Sequence, residues 1–174
     1  MIQQFRRKGV RQAIYAFLFT LELGRGIAFA TEFQPLGQAV AASLGTKSAF
    51  KKSFAFEGKP LDVFYSKDAA GKANKYAFVQ KGIYAPNCTH TWIVGVDAAT
   101  GKVTGVEVVE MACPHAFPTK TESFLGQFKG KGPADAAKLS GDVTPIAKAT
   151  GSSNLAVDAV RKSIVAATKL KGKL

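Results

Sequence analysis

Residues 91–111, TWIVGVDAATGKVTGVEVVEM, decide the fold class. Two β-rich runs, 91–97 and 102–111, flank the short loop Ala98, Ala99, Thr100 and Gly101. Glycine closes that loop where a hairpin often needs a positive φ. The pattern predicts an antiparallel hairpin with Val96 opposite Val103. Residues 103–109 alternate less cleanly than a half-exposed strand should, which predicts a central strand buried on both faces.

The same period continues towards the N-terminus. Runs 53–57 (SFAFE), 61–65 (LDVFY) and 76–80 (YAFVQ) read as strands, punctuated by Gly58, Pro60 and Gly71. Before them, residues 34–44 change to helical spacing. Leu36, Val40 and Leu44 share a face, and Gly45 supplies a stop.

Towards the C-terminus the chain turns helical. Residues 122–128 predict a short helix capped by Thr119 or Thr121, and residues 133–139 one or two further turns. Residues 152–168 form the longest periodic stretch, with Leu155, Ala156, Ala159, Val160, Ile164 and Ala167 recurring at three and four. Ser152 or Ser153 is its expected N-cap, and the basic tail 169–174 is expected to fray. A helix, about five strands and then helices predict an α+β domain over residues 31–168. Its antiparallel sheet would carry an N-terminal helix and C-terminal helices packed on it.

The first 30 residues read differently. Arg6, Arg7, Lys8 and Arg11 precede the apolar run 13–21 (AIYAFLFTL), and Ala28, Phe29 and Ala30 close the segment. A basic region, a nine-residue apolar region and an A-x-A site are the marks of a cleaved export signal. Glu22 and Arg25 interrupt the run well short of the roughly 20 apolar residues that span a membrane. No integral membrane span is therefore expected, and the mature domain is expected in the periplasm or another extracytoplasmic space.

The whole chain has 174 residues and a formal charge of +12; removal of residues 1–30 leaves +8. With 47% apolar and 21% charged residues, intrinsic disorder is excluded by composition. The lysines are scattered rather than interleaved with aromatics, and export removes nucleic acid as the expected partner. The basic surface fits solvation, or docking of an acidic redox partner, a flavin phosphate or an anionic membrane surface.

Three stretches together resemble the family of FMN-binding domains, which includes the flavin-carrying subunits of Rnf-type and sodium-pumping quinone reductase complexes. The first is the sheet region with its VGVD and GKVTGVEVVE hairpin. The second is residues 124–131, FLGQFKGK, similar to the family's F-x-x-QF-x-GK. The third is residues 147–160, AKATGSSNLAVDAV, similar to its SGAT-x-SS-x-AV-x-x-AV signature. The resemblance covers residues 61–165. It implies FMN as cofactor, with redox proteins as partners. A flavin transferase would act if the flavin phosphate is esterified to the threonine of the signature, here Thr150. Gly151, Ser152 and Ser153 would complete the phosphate cradle.

Physical chemistry supports that reading of residues 150–153. A turn of small residues ahead of a helix offers hydroxyls and backbone N–H groups to an anion. The sequence departs from the signature where Ala147 and Lys148 replace Ser-Gly, and where Thr144 stands at a usually acidic position, with Asp142 the nearest acid. Lys148 would give the phosphate a cation in place of a close backbone approach. Covalent and noncovalent FMN both remain open. Tyr84, Trp92 and Phe117 are the aromatic candidates to pack on the flavin ring.

The two cysteines and two histidines form matching tripeptides, Cys88-Thr89-His90 and Cys113-Pro114-His115. The hairpin register places Cys88 opposite residue 111, with Cys113 one pleat further on. Three readings follow: a Cys88–Cys113 disulfide, suited to an exported chain; a zinc or copper ion held by Cys88, His90, Cys113 and His115; or redox-cycling thiols beside a flavin. The family's flavin-wrapping loop, of the type HKETPGLG, is replaced by residues 111–122, MACPHAFPTKTE.

No Walker or dinucleotide fingerprint and no Ser/His/acid set is present. The sequence thus predicts an exported FMN-binding electron carrier rather than an enzyme with its own substrate. The rival readings are a metal- or disulfide-stabilised extracytoplasmic binding module on the same fold without flavin, and a flavin-dependent reductase of a small molecule.

Overall fold

The computed structural model describes residues 30–84 and 87–174. The export-signal reading of residues 1–29 lies outside them. In chain order the elements are β1 (Thr31–Glu32), α1 (Leu36–Leu44), β2 (Phe50–Phe56), β3 (Lys59–Lys67), β4 (Ala73–Tyr84), β5 (Cys88–Asp97) and β6 (Val103–Met111). The helices α2 (Glu122–Leu125), α3 (Leu139–Asp142) and α4 (Thr150–Leu170) follow. Short 3-10 segments occupy Pro114–Lys120 and Gly126–Phe128.

The fold is α+β, as the sequence predicts, and among the described residues its antiparallel sheet has six strands where about five are expected. Strands β2 to β6 form an antiparallel meander, and β1 adds to the free edge of β6 through Thr31 and Glu32. Helices cover both faces. On one, α4 packs with Tyr76, Phe78, Trp92, Val94 and Val108 of the sheet. Phe124 and Phe128, fully buried and edge-to-face at 5.5 Å, complete that core. On the other, α1 sets Ala39, Val40 and Leu44 against Ala77, Ile93 and Val109. Gly45 ends α1 in the left-handed conformation expected of it, at φ 69°.

The hairpin begins in the predicted register. Val96 faces Val103, Gly101 has φ 71°, and the Asp97 carboxylate accepts bonds from Thr100 N at 2.8 Å and Thr100 Oγ1 at 2.7 Å. Those two bonds hold the Asp97 carboxyl below the usual carboxylate range. The register then shifts twice, between Gly95 and Val96 and between Thr91 and Trp92, each time by one extra residue on β6. Such bulges turn the side-chain alternation over. Val106 and Val108 therefore face α4, Val109 faces α1, and Met111 returns to the α4 face. Bulges, not a central position, break the alternation of residues 103–109; only β1 lies beyond β6.

Helix α4 begins two residues earlier than its pattern suggests and runs to Leu170. At about 1.5 Å per residue it spans roughly 30 Å of the sheet. Three polar bonds fasten it along that length: His90 to Ser152, Gln80 Nε2 to Ser163 Oγ at 3.0 Å, and Tyr76 OH to the Leu170 carbonyl at 3.4 Å. In place of a frayed tail, Lys171 Nζ donates to the Ala99 carbonyl at 2.7 Å, and Ala73 N donates to the Leu174 carbonyl at 3.2 Å.

Candidate functional site

The two bulges decide where the cysteines meet. The register that sets His90 opposite Met111 sets Cys88, two residues back, opposite Cys113, two residues on. Without the bulges Cys88 would face residue 111. The Cα atoms of Cys88 and Cys113 are 5.2 Å apart and the sulfurs form a disulfide. A disulfide offers no thiolate to a metal, and no group of three or more His, Cys, Asp or Glu among the described residues could hold an ion. The zinc or copper reading of Cys88, His90, Cys113 and His115 is therefore replaced by the disulfide.

The histidines part company. His90 is buried; its Nδ1–H donates to the Cys88 carbonyl at 3.0 Å, and its Nε2 accepts from Ser152 Oγ–H at 3.0 Å. The carbonyl can only accept, so Nδ1 carries a proton; in the neutral ring that burial favours, Nε2 is then the acceptor. Burial holds the His90 pKa below its ordinary value, and the bond to the Cys88 carbonyl opposes this more weakly. His115 lies exposed on the turn after the disulfide.

The α4 N-terminus is built by local chemistry that the sequence signature only outlines. No side chain caps it. Ser153 is turned inward: its hydroxyl accepts from Ile146 N and donates to the Ala149 carbonyl, both at 3.0 Å, pinning the turn from beneath. Ser152 is likewise buried, engaged with His90. Their inward orientation is why neither acts as the N-cap. Lys148 has φ 65°, a left-handed conformation that favours glycine, at the position where the resembled signature has one. Thr150 is the first helical residue and is exposed.

The second resembling stretch braces this turn. Gln127 accepts from Thr144 N at 2.8 Å and donates to the Thr144 carbonyl at 3.2 Å. Lys131 pairs with Asp142 at 3.0 Å. Gly130 and Lys131 also bond the backbone of Val103, so the hairpin, residues 124–131 and the approach to α4 are joined in one unit.

A cleft of about 440 Å³ opens above the helix N-terminus. Lys148, Ala149, Thr150, Gly151 and Ser152 form one wall; Cys88, Cys113, His115 and Ala116 form the other, with Tyr84 at the lip. What the sequence presents as two candidate sites, a phosphate cradle and a Cys/His pair, is thus one. Of the three aromatic candidates only Tyr84 lines it. Trp92 is buried and stacked on His90 at 5.1 Å, and Phe117 packs edge-on against Phe33. Tyr84 lies over Gly151 so closely that a Cβ there would overlap its ring. A second cleft of about 460 Å³, between the β2–β3 hairpin and α4, holds none of the predicted site residues.

Comparison with protein-family models, curated proteins and solved structures returned no match to this chain.

Proposed function

We propose that the cleft binds FMN by its phosphate at the N-terminus of α4, and that the protein carries electrons outside the cytoplasm. The observation that carries the reading is the uncapped first turn of a 21-residue helix, opening into a cleft beside an exposed threonine and a lysine. The first N–H groups of a helix have no partner within it and favour an anion. The cleft volume lies within the usual range of cofactor pockets, about 300–1,000 Å³.

The residues have separable roles in this reading. The N–H groups of Thr150, Gly151 and Ser152 hold the phosphate oxygens, and Lys148 adds a cation. The Thr150 hydroxyl is placed for esterification by a flavin transferase, or for a hydrogen bond when FMN is noncovalent. Ser153 keeps the turn in shape from below, and Tyr84 shields the phosphate from water. When bound, the flavin supplies one- and two-electron chemistry. In this reading the protein is a carrier working with redox partner proteins. The disulfide fits an extracytoplasmic location.

The test is co-expression with an export signal and a flavin transferase, followed by denaturation. Covalent FMN leaves yellow fluorescence on the chain that Thr150→Ala abolishes. Noncovalent FMN is released, and the refolded chain then rebinds added FMN. A native protein that is colourless and takes up no FMN overturns the reading and leaves the disulfide-stabilised binding module.

A further inference from the structure

The disulfide stands where a structural crosslink is least needed. The ladder between β5 and β6 is already closed beside it: His90 pairs with Met111, and Ala112 N donates to the Thr89 carbonyl at 2.9 Å. The two sulfurs differ in access. Cys88 is 5% exposed, whereas Cys113 is only half-buried and leads into the exposed Pro114 and His115. Both line the cleft that faces the α4 N-terminus and Lys148, and no carboxylate is among its described lining residues. A positive helix end and a neighbouring cation stabilise thiolates, and accessible disulfides in such surroundings are the readily exchanged ones.

We propose that Cys88–Cys113 is a redox-active disulfide that accepts electrons from the dithiol of an extracytoplasmic protein. A thiolate of that partner attacks Cys113 Sγ. The Cys88–Cys113 bond breaks, and Cys88 leaves as a thiolate beside the helix N-terminus. The partner's second thiol, on losing its proton, attacks its own sulfur in the mixed disulfide, and Cys113 leaves as the second thiolate. Two electrons have passed from the partner's dithiol to Cys88 and Cys113, the partner's two thiol protons have gone to solvent, from which each thiolate is reprotonated according to pH, and the partner ends as a disulfide. The step needs no flavin and does not rest on the flavin reading.

The test uses the mature, flavin-free oxidised chain and a small dithiol as probe. Free thiols are followed in the folded and the urea-unfolded protein. A redox-active site is reduced in the folded state within about threefold of the unfolded rate, and faster if the thiolates are stabilised. Mass mapping of trapped mixed disulfides places the probe on Cys113. In the reduced wild-type protein, alkylation of the thiols has its pH midpoint below the free-thiol value, and Lys148→Gln moves that midpoint up. Protection of the folded disulfide by about a hundredfold or more, or an unshifted alkylation midpoint, overturns the proposal and leaves the bond structural. Because the wild-type chain carries every arm, no cysteine variant has to fold.

Discussion

Nε2 of His90 accepts a hydrogen bond from the Ser152 hydroxyl at 3.0 Å, tying the strand that holds Cys88 to the helix turn that holds Thr150. The same ring donates from Nδ1 to the carbonyl of Cys88 itself. One buried neutral imidazole therefore sets the distance between the two walls of the cleft.

That ring makes stability depend on pH. Burial lowers the His90 pKa in the folded chain, while the unfolded chain takes up its proton near pH ~6.5. Above ~6.5 both states are neutral and the His90 contribution to stability is complete. As pH falls below ~6.5 the unfolded state binds the proton first, and stability drops by at most about 1.4 kcal/mol per pH unit. The loss levels off once pH is below the folded pKa. Urea denaturation from roughly pH 5 to 8 checks this. His90→Asn keeps a donor for the Cys88 carbonyl and removes the titration, so its slope is expected to be flatter across that window.

The protonation can also be watched directly. Trp92 is the chain's single tryptophan and stacks on His90 at 5.1 Å, with ring planes 15° apart. A cationic imidazole in that position quenches indole emission. Native-state fluorescence is expected to fall on acidification with a midpoint below ~6.5, and the step is expected to vanish in His90→Asn. A midpoint at or above the ordinary histidine value would contradict the buried neutral ring.

Much of this architecture was legible in the chain, and the failures share a cause. Strands β2 and β3 show alternation because Phe54, Phe56, Leu61, Val63 and Tyr65 all turn to the core on the α4 side of the sheet, whereas β5 is buried on both faces and reads as an unbroken apolar run; Val96 meets Val103 where the hairpin loop places it. The bulges at Gly95/Val96 and Thr91/Trp92 leave no mark beyond a broken alternation, which reads equally well as burial on both faces. Two residues of β1 are too few for any period to show. Thr150, Lys148 and both cysteines could be picked out as candidates, but not their convergence in one cleft, which needs the two-residue shift of β6. Ser152 and Ser153 read as caps because hydroxyls before an apolar run usually are. Here those hydroxyls face His90 and Ile146 instead.

Lys148 offers a variant whose effects on stability and binding point in opposite directions. Its φ of 65° costs a side-chain-bearing residue about 1–2 kcal/mol. Lys148→Gly removes that cost, and the greater freedom of glycine in the unfolded chain offsets part of it. A net gain of about 0.5–1 kcal/mol is expected in urea denaturation. The same change removes the cation at the phosphate site. FMN affinity is expected to fall by about threefold to fivefold, as for an exposed ion pair, with a weaker dependence on salt. Stability and affinity moving together would show that Lys148 acts through the turn alone.

The contact between Tyr84 and Gly151 predicts a coupling that reverses sign. In an otherwise undisturbed helix, Gly→Ala stabilises by about 0.5–1 kcal/mol. At position 151 the added methyl has to displace the Tyr84 ring. Tyr84 is about half exposed, at 53%, so the ring can swing into solvent, at the cost of the surface it buries against the helix turn. Gly151→Ala is therefore expected to be neutral or destabilising in the wild-type chain. In Tyr84→Ala, where the space is open, it is expected to stabilise by about 0.5 kcal/mol. A double-mutant cycle in urea reads the difference as an interaction energy of about 0.5–1.5 kcal/mol. The cycle also separates packing from binding. If Tyr84 shields a phosphate in the cleft, Tyr84→Ala weakens FMN binding although Thr150, Lys148 and the helix N-terminus are untouched. Gly151→Ala, which displaces the ring without removing it, weakens binding in the wild-type background and has little further effect once the ring is gone.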